Sequence, residues 1–185
     1  MRSKEIQIPK FLHDIHGSKS TPRDLLLSYG GGLLAAATAY YLWVGQGATG
    51  PVWKLVLLLL ISADIGAGAV ANFTRGTNGH YSGPEKRKTR LVFIFSHFVH
   101  PTLFFFALNV ISPVAIGMTL LVIASTLVIN QVTEVERQRV VAAFLLVLLI
   151  SLLFVSGISH PLLLWFFILF GVKLFLAFGI RRYPA

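Results

Sequence analysis

The chain has 185 residues, 55% of them hydrophobic and 12% charged, with a net charge of +9 and a mean hydropathy of +0.75. A soluble domain carries about 25% charged residues, so a water-soluble fold is excluded. The long apolar runs between short polar turns make this an integral membrane protein. The absence of cysteine excludes disulfides, thiol catalysis and cysteine metal ligands.

Residues 1–24 are a basic, amphiphilic lead rather than a cleaved signal, because no early apolar core is present. Ile6, Ile8, Phe11, Leu12 and Ile15 alternate with Lys4, Lys10, His13, Asp14 and His16, a pattern that predicts a short interfacial helix over Pro9–His16. Thr21 and Pro22 are suited to cap and start the next helix. A single domain over 25–182 then holds six predicted spans: Leu25–Val44, Pro51–Phe73, Leu91–Leu108, Val114–Asn130, Val140–Val155 and Pro161–Ile180. The first span has a small-residue stripe of Gly31, Ala35 and Ala39, and the second has Ala63, Ala67 and Ala71, which suits close packing of one helix on another. A basic loop over 74–90 separates the second and third spans.

The fold class expected is an all-α bundle of six transmembrane helices preceded by the interfacial helix. With the N-terminus inside, fourteen of the sixteen Lys and Arg lie on the cytoplasmic side, so both termini are expected there. Here the basic charge sets topology and meets anionic lipid headgroups rather than nucleic acid. The bilayer and those headgroups are the expected partners, with a small-molecule or lipid ligand and self-association left open. Small size and short loops point to the cell membrane.

The polar residues of the spans concentrate between Asp64 and Pro101. Asp64, Gly68 and Asn72 recur every fourth residue and share a helix face; His97 and His100 share a face of the next span. At about 1.5 Å per residue, Asp64, His97, His100 and Lys173 all lie roughly 10–16 Å from the cytoplasmic end. Pro101 deprives the His97 carbonyl of its helical partner, so a kink is expected there. Gly66 and Gly68 leave room beside Asp64. An ionisable residue inside a span marks a functional site by default.

Asp64, His97 and His100 are the candidate catalytic residues. With His80 folded inward as a third imidazole they are also the candidate ligands for a divalent metal such as zinc, the cofactor this residue set suits. Asn72, Asn78, Tyr81 and Lys173 form the expected rim. Three readings stay open at this point. One is an enzyme, metal-dependent or acid–base, acting on a lipid or headgroup-sized substrate from a site open to the cytoplasm. Another is a proton- or cation-coupled carrier built on the same residues. In the third, the Asp64–Lys173 pair and the histidines only hold the bundle together.

Overall fold

A computed structural model describes residues 4–183; Arg2, one of the basic residues counted above, lies outside them. Six helices are long and apolar enough to cross a membrane. The first, α2 (Pro22–Gly45), starts where Thr21 Oγ1 accepts the Asp24 N–H at 3.1 Å, with Pro22 at the first helical position. It packs along α3 (Val52–Ala71). The third span is broken into α5 (Arg87–Ser96) and α6 (Val99–Leu108). Then follow α7 (Pro113–Gln131) and α8 (Val135–Val155). The sixth span begins as α9 (Pro161–Gly171) and ends as a π-helix over Val172–Gly179. This last span is the most buried of the six and packs against α3, α7 and α8.

Small residues set the closest packing, as expected where lipid offers no hydrophobic drive for helix association. A Cβ on Gly66 would lie 2.3 Å from Ala35 Cβ and 2.5 Å from the Gly31 carbonyl oxygen. A Cβ on Gly32 would come within 2.9 Å of the Ala63 oxygen and 3.1 Å of Ala67 Cβ. Gly66 therefore serves the α2–α3 contact, and it is Gly68 that makes room beside the polar cluster.

The stretch read as a loop after the second span is helical. Thr74 caps α4 (Arg75–Ser82), its Oγ1 accepting the Thr77 N–H at 3.3 Å. A 3-10 turn (Pro84–Lys86) leads on into α5. Two glycines in eight residues make α4 a poor helix by propensity, and tertiary contacts override it. Tyr81 is buried, and Asn78 donates to the carbonyls of Asn72 (3.2 Å), Ala177 (3.2 Å) and Ile180 (2.9 Å).

The lead does not lie free. Strands β1 (Ile6–Gln7) and β2 (Lys19–Ser20) pair antiparallel, and a 3-10 turn (Lys10–Leu12) runs into α1 (His13–His16) between them. This layer docks on α4: Thr77 Oγ1 donates to the Ile15 carbonyl at 2.7 Å and the Tyr81 hydroxyl to the Asp14 carbonyl at 2.9 Å. Gly17, at φ +72°, and Gly76 meet backbone to backbone; a Cβ on Gly17 would lie 2.1 Å from the Gly76 oxygen. The layer, α4 and the C-terminal turn share one end of the bundle, called here the basic end; Arg182 N–H donates to Asn78 Oδ1 at 2.8 Å. At the opposite end Lys54 bonds Asn109, the residue that closes α6 in a left-handed conformation.

Candidate functional site

The buried face of the third span follows helical spacing: Arg90, Ile94, His97, Pro101 and Phe104 are all buried. Pro101 has no N–H to give the His97 carbonyl, and the α-helix breaks at His97–Phe98. There the His97 N–H turns to Ile94 (3.3 Å) and the Phe98 N–H to Phe95 (3.1 Å). The break stacks the His97 and His100 rings, with centroids 4.6 Å apart and planes at 15°.

Three spans meet at one oxygen. Asp64 Oδ2 accepts from Lys173 Nζ at 2.7 Å and from His100 Nε2 at 2.7 Å. The Lys173 side chain is only 4% exposed. A Cβ on Gly68 would lie 2.5 Å from its Cε, so the missing side chain there is what admits the lysine to the carboxylate. Lys173 stands second in the π-helix, a form of helix that recurs at functional sites because it redirects side chains. The Asp64 side chain, by contrast, is 57% exposed on the bundle surface, although it lies about 10 Å inside the end of α3.

Proton placement follows from these partners. His100 donates Nε2–H to the carboxylate, and its Nδ1 is buried without a hydrogen-bond partner among the described residues. His97 donates Nδ1–H to the Phe93 carbonyl at 2.6 Å, and its Nε2 is likewise buried and unpartnered. In the neutral rings both unpartnered nitrogens are lone pairs, since the one hydrogen of each ring is already engaged. The stack continues away from the site, from His97 to Phe93 at 4.3 Å and from Phe93 to Phe178 at 4.0 Å, where the Arg90 guanidinium lies 4.5 Å from the ring centroid.

Asp64, His97, His100 and Lys173 thus come together; the other candidates do not join them. His80 faces the N-terminal layer, 3.3 Å from Asp14, because α4 fixes it there. Asn78 and Tyr81 tie α4 to the C-terminal turn and to the layer, and Asn72 is buried beside Asn78 with its Nδ2 unpartnered. Burial, then the Asp14 charge, pushes the Tyr81 phenol up. Burial holds His16, whose Nε2 is 3.0 Å from the Tyr29 hydroxyl, below the usual histidine value. Among the described residues no group of three or more His, Asp or Glu is arranged to hold a metal ion. At Asp64 the Lys173 ammonium and the His100 imidazole both hold Oδ2. His80, the third imidazole of the zinc reading, is held at Asp14 and not beside the other three.

A second polar network escaped the sequence reading, which assigned Arg90 to a topology loop. Arg90 is buried and donates to Asn130 Oδ1 (2.7 Å) and to the carbonyls of Phe178 and Gly179 (both 3.2 Å). Gln138 donates to Val132 at 2.8 Å and accepts the Arg181 N–H at 3.0 Å. Arg90, Asn78 and Arg182 satisfy the carbonyls left open where the π-helix ends, and Gln138 those at the end of α7. The spacing from Arg90 to Ile94 and His97 was the available signal.

Comparison with family models, curated proteins and solved structures finds no match.

Proposed function

We propose that the Asp64–His100–Lys173 cluster is an acid–base centre that receives the polar group of a membrane-embedded ligand from the side of the bundle. One observation carries this reading: a carboxylate held at 2.7 Å by an ammonium and an imidazole is nonetheless 57% exposed on the outer surface of an apolar span. A buried pair with a merely cohesive task would be enclosed, since a charge facing hydrocarbon costs free energy at every moment. The lateral opening replaces the cytoplasmic entrance expected from sequence.

Each residue then has a role. Asp64, the exposed member, meets the ligand and exchanges the proton; His100, whose Nδ1 is buried, acts on the carboxylate through its Nε2–H. Lys173 compensates the carboxylate where water does not. His97 stacks on His100 and orients it. Substrates of lipid or headgroup size fit the lateral approach.

The test is conversion of lipid. Purified protein is reconstituted with a mixed lipid extract at several pH values, and the lipids are followed by mass spectrometry. Wild type is expected to convert one class, and His100→Asn to slow that conversion by about a hundredfold or more. The reading in which the cluster only ties the helices has its own support: His97 and Lys173 are almost wholly enclosed, at 4% and 3% exposure. Unchanged lipids, together with an Asp64→Leu/His100→Leu/Lys173→Met variant as stable as wild type, would establish that reading instead.

A further inference from the structure

A separate cavity at the basic end has a lining of different chemistry. It has a volume of about 670 Å³ and lies between the start of α5, the end of α7 and the C-terminal turn. Three arginines, Arg87, Arg90 and Arg181, stand on its wall with Asn130 and Thr133. Among the described residues none of the three guanidiniums pairs with a carboxylate. The ion pairs that do form are His80–Asp14, His100–Asp64, Arg137–Glu134 and Lys173–Asp64. Glu85 is the acid nearest in sequence, and its carboxylate rests over Gly83.

Arg90 sharpens the point. Its residue is only 2% exposed, and every acceptor it meets is neutral: Asn130 Oδ1 and the carbonyls of Tyr81, Phe178 and Gly179. Its hydrogen bonds are satisfied while its charge is not. A buried cation without a counter-ion is costly, and an anion in the adjoining cavity removes that cost. Arginine forks match the geometry of phosphate oxygens. Leu91 and Leu127 complete the wall, so the cavity is basic on one side and apolar on another.

We infer that this cavity binds a phosphate group, with Arg87 and Arg181 as its accessible ligands and Arg90 as the fixed charge behind them. The apolar wall favours a phospholipid headgroup as the source, in line with basic pockets between membrane helices; a free phosphate is the other source of the same chemistry. The site is independent of the acid–base reading of Asp64.

The test uses the full chain, delipidated in detergent. Binding of phosphatidylglycerol and of phosphatidylcholine is measured by native mass spectrometry, and inorganic phosphate is added in a parallel thermal-unfolding series. Arg87 is exposed and forms none of the hydrogen bonds or ion pairs described, so Arg87→Gln tests the site without threatening the fold; Arg87→Gln/Arg181→Gln extends it, and Lys88→Gln is the control. Phosphatidylglycerol is expected to bind in preference to phosphatidylcholine, and to weaken by about fivefold for each arginine removed but not in the control. Stabilisation by inorganic phosphate alone, lost in the same variants, would keep the site and assign it a soluble ligand. Equal binding of phosphatidylglycerol in wild type and both variants, with no effect of phosphate, would overturn the inference.

Discussion

A single oxygen, Asp64 Oδ2, joins three spans: α3 through Asp64 itself, α6 through His100 and the sixth span through Lys173. Removing the ammonium leaves a carboxylate in an apolar setting without its cation. Lys173→Met is therefore expected to destabilise the protein by about 2 kcal/mol, below the cost of breaking a fully enclosed pair, because Asp64 at the surface can draw in water. Asp64→Leu/Lys173→Met should recover most of that loss, and thermal unfolding of both variants in one detergent checks it. The meeting of these residues was legible from depth alone, because rise per residue converts sequence position into height within a span. Lateral direction was not legible. Nothing in the spacing of Asp64 shows that it lies on the bundle surface, and nothing near His80 shows that α4 turns it toward Asp14.

At the scale of elements, the long apolar helices were readable and the basic-end elements were not. Hydropathy defines spans well because every backbone group in lipid must be bonded within its own helix. Helix α4 exists through its contacts, Asn78 to the C-terminal turn and Thr77 and Tyr81 to the N-terminal layer, and no local pattern encodes those. The layer carries its own pH dependence through His16. Burial lowers the His16 pKa, so the released layer binds a proton more readily than the docked one. Docking is then fully stable above about pH 6.5, the ordinary histidine value, and weakens as pH falls from there toward the lowered pKa. Hydrogen exchange over residues 6–20 should show constant protection above that point and declining protection below it, and His16→Gln should flatten the profile. In Gly76→Ala the new methyl would meet the carbonyl oxygens of Lys19 and His16 at 2.3 and 2.4 Å, so protection of the layer should be low at every pH while the spans are unaffected.

The whole molecule is a six-helix bundle with its polar chemistry graded along its length. Arginines and amides close the basic end, the Asp64–His100–Lys173 triad lies further along the spans, and the opposite end is largely apolar. Charge distribution predicts that the basic end faces the cytoplasm. The chain has no cysteine, so single cysteines report cleanly. Lys19→Cys and Lys88→Cys are expected to react with an impermeant maleimide only after the membrane is opened, and Thr49→Cys and Ile111→Cys to react in intact cells. The reverse pattern would invert the orientation.

The central claim is that Asp64 opens to the bilayer and exchanges protons there. Of the seven acidic residues, the other six lie in the N-terminal layer or in linkers and first turns at the basic end. A hydrophobic carbodiimide, which reaches carboxyl groups from lipid and reacts with their protonated form, therefore separates Asp64 from the rest. The measurement is peptide mapping by mass spectrometry after labelling reconstituted protein across a range of pH. The account predicts modification at Asp64 that rises as pH falls and is faster in Lys173→Met, where the compensating ammonium is gone. An Asp64 that stays unlabelled at every pH, in wild type and in Lys173→Met alike, would contradict it.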